Sequence, residues 1–244
     1  MSTHADTAEA GLAFRGPDAA RFLQGQLSAE VEKLAPGSHT LAGLHNPQGR
    51  VIALLRVVRN TPEEFYTALP AELVANVAAR LRKYVLRSKL RIEELEPGTS
   101  LPGAVADELS ALRAGLPQVY AATSEAFVSQ MLNLDLLGAI AFNKGCYTGQ
   151  EVIARAHYRG RVKRRMQRWL NVSGDPLKPG DTARDPGGRS LAVVRVATNE
   201  NGQQEVLAVG NFIGLPEPAA DAAPADASVI AVSGPLPLPY VLPE

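Results

Sequence analysis

The run Val51-Ile52-Ala53-Leu54-Leu55-Arg56-Val57-Val58 is aliphatic except for Arg56. Side chains of a strand alternate between its two faces, so a strand made from this run needs cover on both. Directly before it stands Asn46-Pro47-Gln48-Gly49, which has the chemistry of a tight turn, and before that Thr40–His45 reads as a partner strand. The chain is thereby committed to a β-hairpin inside a layered fold. Phe65–Leu69 predicts a third strand. From about Ala71 to Arg87, Leu73, Val77, Leu81 and Tyr84–Val85 recur at helical period, while Arg80, Arg82, Lys83 and Arg87 mark the other face. Leu90-Arg91-Ile92 predicts one more strand. Hairpin, strand, helix and strand together fit a ferredoxin-like α+β unit.

Upstream, Gly16-Pro17-Asp18 before Ala19, Ala20, Phe22 and Leu23 predicts a short helix, with Pro17 near its first turn and Gly25 as a left-handed cap. Downstream, Pro97-Gly98 and Pro102-Gly103 mark a break, and a short helix is expected over about Ala104–Ala114. Val162–Val172 alternates like a strand. Turns at Gly174, Gly180, Gly187-Gly188 and Gly202 separate strands near Ala192–Ala197 and Glu205–Phe212, so residues 163–235 predict a small antiparallel barrel. Pro216–Ala227, rich in Ala, Pro and Asp, predicts a flexible loop. The expected domains are 1–162, α+β, and 163–244, the barrel with its tail.

The chain has a single cysteine in 244 residues, which excludes an internal disulfide and any self-sufficient zinc or cluster site. No metal site is expected. No apolar run approaches the roughly 20 residues of a membrane span. Met1–Asp6 lacks the basic and apolar regions of a secretory signal, so a cytoplasmic protein with no membrane partner is expected. Net charge is zero but unevenly placed. Residues 144–168 hold eight Lys or Arg against Glu151 alone, whereas residues 201–244 hold five acids and no base. A positive face that meets an anion follows.

The cysteine lies in Lys144-Gly145-Cys146-Tyr147-Thr148-Gly149-Gln150-Glu151. Thr148 and Glu151 stand in the spacing of a capping box, which predicts a helix through Val152, Ile153 and Ala156 that stops at Gly160. Cys146 would then sit just ahead of a helix N-terminus, with Lys144, Arg155 and His157 nearby in sequence. Positive charge and the helix dipole favour thiolate over thiol. Against this, a lone cysteine is more often a small buried hydrophobe, and a capping box starts many ordinary helices. A Cys–His hydrolase is excluded by distance, since His157 would lie roughly 16 Å along the helix.

The string K-G-C-Y-T-G-Q-E, with F-L-Q-G-Q-L at 22–27 and K-Y-V-L-R-S-K-L at 83–90, resembles the YgfZ family. These are folate-binding-type proteins related to the aminomethyltransferase (T-protein) of the glycine cleavage system and linked to iron–sulfur proteins. The resemblance implies an α+β folate-binding fold with a C-terminal β-barrel, and a role in assembly or repair of iron–sulfur proteins, including a tRNA-modifying one. It implies Cys146 and Lys144 as the reactive pair, with Gly145, Tyr147, Thr148, Gly149, Gln150, Glu151 and Arg155 around a ligand. Tetrahydrofolate is the implied cofactor; partners are iron–sulfur proteins or their assembly machinery.

Two departures qualify this. T-protein-like enzymes carry an acidic pair soon after the turn that matches Gly49, where this chain has apolar residues around Ala53-Leu54. Without a carboxylate no proton is relayed to folate, so a classical aminomethyl-transfer enzyme is not expected. The second α+β lobe is also expected to be missing, since only about twenty residues separate Leu90 from Ala114. A folate-dependent one-carbon transferase is the alternative function. A further one is an RNA-binding module, for which Arg155, Arg159, Arg161, Lys163, Arg164, Arg165 and Arg168, with Tyr158 and Trp169 interleaved, form the candidate tRNA patch.

Overall fold

The computed structural model describes residues 9–96, 98–99, 101–104, 107–160, 162–211 and 230–243; Met1–Asp6, Arg161 and the Pro216–Ala227 loop lie outside them. The chain forms two compact units, both discontinuous in sequence. The first takes Met1–Ala104, Val119–Ser129 and Leu134–Arg155, and the second takes Val105–Gln118, Gln130–Asn133 and Ala156–Glu244.

The first unit is built on five strands, β1 (Glu9–Arg15), β2 (His39–His45), β3 (Val51–Thr61), β4 (Glu64–Pro70) and β5 (Arg91–Leu95). They lie in the order β2-β3-β4-β1-β5, every pair antiparallel. In β3, Val51–Leu55, Val57 and Val58 are all buried, as an aliphatic strand covered on both faces requires. The β2–β3 turn is held by Asn46, whose Oδ1 accepts the N–H groups of Gln48 and Arg50, both at 3.0 Å, while Gly49 takes φ +73°.

Strand β1 has no counterpart in the sequence reading. Its segment Glu-Ala-Gly-Leu-Ala-Phe-Arg carries no β-branched residue, so propensity is silent. It nevertheless runs between β4 and β5, and Gly11 lets it do so: a Cβ there would stand 2.3 Å from the Thr67 carbonyl oxygen.

Helix α1 (Ala19–Gln26) precedes β2, and α2 (Ala71–Val85) packs on β1, β4 and β5 through Leu73, Val74, Val77, Ala78 and Leu81. Two expectations change here. Gly25 lies within α1 and does not cap it; the chain leaves at Leu27 in extended conformation, its N–H donating to the Leu23 carbonyl. Tyr84, assigned to the buried stripe of α2, is half exposed, because the apolar face ends with Leu81 one turn earlier.

The second unit contains β6 (Arg164–Leu170), β7 (Thr182–Arg184), β8 (Ser190–Thr198), β9 (Gln204–Asn211) and β10 (Ile230–Ala231), in the order β10-β7-β8-β9-β6. The pairs are antiparallel except β10–β7, which is parallel. Isolated bridges Asn171↔Val232 and Arg168↔Leu236 tie the last part of β6 to the chain that follows β10. Trp169, Leu177, Ala183, Leu191, Val193, Val206, Ala208 and Val232 fill the core. Helix α3 (Glu108–Arg113) is capped by Asp107, whose carboxylate accepts the Ser110 N–H at 2.8 Å and is held below the usual carboxylate range by that bond. Together these make an α+β protein based on two largely antiparallel sheets.

Candidate functional site

The cysteine loop is anchored by its first residue. Lys144 Nζ donates to the carbonyl oxygens of Gln24, Leu27 and Ala29 at 2.7, 2.6 and 2.7 Å. An ammonium has three donors, and all three are used. Two of the acceptors belong to the end of α1, where free carbonyls and the negative end of the helix dipole favour a cation. This explains why α1 needs no glycine cap. Burial pulls the Lys144 amine down to about 8, with Glu30 and Glu32 opposing, so it stays charged at neutral pH.

Tyr147 anchors the loop from the other side. It is buried, its phenol pushed up to about 12 by that burial, and the Lys144 ammonium stands 5.1 Å from its ring centroid. Between them Gly145 and Cys146 are exposed, and a side chain at 145 would meet nothing within 4 Å. Lys144 is therefore a structural anchor whose charge is directed at carbonyls.

The helix that follows, α4 (Gln150–Arg159), starts by a different device from the one expected. Thr148 and Glu151 make no capping-box bonds. Instead the Gln150 side chain accepts the Tyr147 N–H at 3.3 Å, and the Gln150 N–H donates to the Tyr147 carbonyl at 3.2 Å. Gly149 takes φ +83°, a conformation that turns the chain into the helix. Of α4, Ile153 is buried, while Glu151, Val152 and Arg155 are exposed.

Behind the loop lies a buried polar pair that sequence reasoning missed. His45, at the end of β2, has no exposure and its Nε2 is 2.6 Å from Ser129 Oγ. Its ring centroid is 6.1 Å from that of Tyr147. Burial pushes the imidazole down to about 4, the backbone of Gly43 opposing, so His45 is neutral. Ser28 extends the layer, donating to the Ala139 carbonyl at 2.6 Å and accepting the Gly43 N–H at 2.8 Å. Strand alternation marks His45 as either inward or outward, and nothing local says which.

The basic run separates by burial. Arg155, Arg159, Lys163 and Arg164 are exposed. Arg165 points inward from β6, where its guanidinium donates to the Gln130 carbonyl at 3.1 Å and to Asn133 Oδ1 at 3.3 Å. Arg168 is largely covered and lies 3.8 Å from Glu205. Trp169 belongs to the core of the second unit and Tyr158 is exposed, so of the two interleaved aromatics only Tyr158 can offer a ring face. Among the described residues, no group of three or more His, Cys, Asp or Glu could hold a metal ion, and no helix is long and apolar enough to cross a membrane.

The fold has a counterpart of known structure. The crystal structure of glycine cleavage system aminomethyltransferase T from Bartonella henselae superposes with a TM-score of 0.66 over 83% of this chain and 76% of that one, at 14% identity. The class is thus the T-protein type of α+β fold. Sequence comparison narrows it. The tRNA-modifying protein YgfZ of Klebsiella pneumoniae is 30% identical over 80% of this chain and 81% of its own length. That of Edwardsiella ictaluri is 30% identical over 66% and 68%, and an uncharacterised protein of Haemophilus influenzae is 33% identical over 62% and 67%. The chain belongs to the YgfZ family. No model of a known protein family matches it. The Klebsiella alignment extends over 273 positions, more than the 244 residues here, so the relative carries internal residues that this chain lacks.

Proposed function

We propose that this protein is a cytoplasmic accessory factor for iron–sulfur proteins, among them enzymes that modify tRNA, and that it acts through Cys146. The name carried by the Klebsiella and Edwardsiella relatives supports the link to tRNA modification. The observation that carries the reading is how Cys146 is presented. Its flanking residues turn inward, Lys144 onto three carbonyls and Tyr147 into the interior, and the sulfur stands exposed between two fixed points. A thiol on so anchored a loop meets a partner with little further ordering of the chain. One thiolate does not hold a cluster, but it can lend a ligand to a cluster that a partner holds. It can also attack a partner's disulfide, forming a mixed disulfide and releasing the second sulfur as thiolate.

Complementation tests this. In a strain lacking the protein, Cys146→Ser is expected to accumulate folded and to leave the cluster enzyme inactive. Full restoration by the serine variant overturns the role of the thiol.

The fold favours one other reading, a folate-dependent one-carbon transferase. The residues do not fit that chemistry. Ala53 and Leu54, after the Gly49 turn, are buried and carry no group that could hold a proton, so no transfer step follows through tetrahydrofolate. Contact with tRNA through the basic run would rest on Arg159, Lys163 and Arg164, because Arg165 is committed to the interior.

A further inference from the structure

We infer that the end of α2 and the turn after it form a second, separate surface, in the first unit, that holds single-stranded RNA. The inference deepens the proposed link to tRNA modification by naming where RNA would lie.

The turn is built to project side chains. Leu86 takes φ 40° and ψ −102°, a conformation that L residues avoid, and stands 87% exposed. The segment around it is fixed rather than loose. The Ser88 N–H donates to the Val85 carbonyl at 2.7 Å, and the Lys89 N–H to Asp18 Oδ2 at 2.6 Å. Two cavities that share Ser88 lie against this turn, one of about 960 Å³ beside Arg21, Tyr84 and Arg87, the other of about 510 Å³ beside Lys89 and Arg91.

Charge decides the occupant. Arg21, Lys83, Arg87, Lys89 and Arg91 are exposed, and none has an acidic partner within ion-pair distance among the described residues. Their neighbours Arg15 and Arg82 are neutralised by Glu64 and Glu93, and by Glu94. The acids on this surface are also engaged, Asp18 by the Lys89 N–H and Glu93 by Arg15. Five cations left unpaired, spread from α1 across two cavities, match a chain of phosphates better than one anion. The half-exposed Tyr84 ring, which lines the larger cavity with Arg21 and Arg87, adds a platform on which an unpaired base can stack, and Leu86 adds an apolar contact there. A lipid bilayer would call for a broader apolar patch; Leu86 is the one fully exposed aliphatic side chain on this turn.

The test is fluorescence anisotropy on the purified full chain with a labelled short single-stranded oligoribonucleotide, titrated at several salt concentrations. Binding that weakens steeply with salt is expected. Arg21→Ala with Arg87→Ala should lower the slope of log affinity against log salt by roughly 1 to 1.5, at about 0.7 per cation for a single strand. Tyr84→Ala should weaken binding about tenfold with the slope unchanged. Lys178→Ala, exposed in the second unit, should leave it as in the wild type. All these side chains are exposed, and a melting curve for each variant checks the fold. The inference is overturned if the Arg21/Arg87 and Tyr84 variants bind as the wild type does. It is equally overturned if duplex RNA binds as well as the single strand, if inorganic phosphate alone saturates the surface, or if anionic phosphatidylglycerol vesicles bind and RNA does not. Cys146→Ser should bind the oligoribonucleotide normally, so either this surface or the thiol mechanism can fail while the other stands.

Discussion

Gly149 crosses Gly49 so closely that a Cβ built on Gly149 would lie 3.0 Å from the Gly49 Cα and 2.6 Å from the Asn46 carbonyl oxygen. Both glycines have positive φ, +83° and +73°. The start of α4 therefore rests directly on the β2–β3 turn, backbone against backbone, and this contact sets where Cys146 emerges.

Gly149→Ala should thus be costly twice, once for the left-handed backbone and once for a clash with atoms that cannot rotate away. A loss of at least about 2 kcal/mol is expected. Denaturant unfolding measures it, with Gly145→Ala as the control, since a Cβ at 145 meets open space. Equal stability of the two variants would contradict the crossing.

His45 makes stability depend on pH with a definite sign. Its imidazole sits at about 4 in the folded protein, against 6.5 for an ordinary histidine. Below pH 6.5 the unfolded chain takes up a proton that the native one refuses, so stability is complete above 6.5 and falls as pH drops toward 4. The groups set against the ring, Ser129 and Tyr147, are neutral, and the Gly43 backbone opposes the shift only in part. The full effect is about 3 kcal/mol, of which about 2 appear between pH 6.5 and 5. Unfolding free energies across that range should show this loss in the wild type and a flatter profile in His45→Gln. A wild-type curve as flat as the variant's would be the contrary result.

These features differ in how far they could be read from residues alone. The β2–β3 hairpin was legible because its information is local: an aliphatic run, and a turn whose Asn46 and Gly49 serve their own backbone. The α2 stripe was legible as far as Leu81, where periodicity and burial agree. The end of α1 was not, since its carbonyls are satisfied by Lys144, more than a hundred residues away. Arg165 read as one cation among many, because its acceptors Gln130 and Asn133 come from another part of the chain. Strand β1 is fixed by two neighbours rather than by propensity. In the site, the string around Cys146 announced itself, whereas His45 and Ser129 became visible only once β2 met the segment before residue 130.

The same contrast between local text and burial makes Trp169 a reporter. Its side chain is 1% exposed within the core of the second unit. Its emission should be blue-shifted and resistant to iodide quenching in the folded protein, and should shift red when that unit unfolds. Arg165→Ala, which takes a buried donor from the Gln130 carbonyl and from Asn133 Oδ1, should bring that red shift forward by about 1–3 kcal/mol, while Arg164→Ala leaves it in place. Iodide quenching of the native wild type would show Trp169 to be accessible.

Lys144 offers the sharpest separation of architecture from chemistry in the cysteine loop. Its ammonium holds the carbonyls of Gln24, Leu27 and Ala29, so Lys144→Met removes every one of those bonds while keeping the apolar stem. Three partly buried acceptors then lose this donor, and the loop loses its anchor at α1. A loss of about 2–4 kcal/mol is expected, with faster amide exchange over residues 24–29 and 144–147. Lys144→Arg should not restore stability, because a planar fork cannot direct its donors at three converging oxygens as a tetrahedral ammonium does. Cys146→Ser, two residues away and exposed, should melt with the wild type. Lys144→Met and Cys146→Ser are thus predicted to fail in cells for different reasons, the first by losing the loop and the second by losing the sulfur. If Lys144→Met is as stable as the wild type and exchanges no faster, the anchor is not what holds the loop, and the presentation of Cys146 needs another cause.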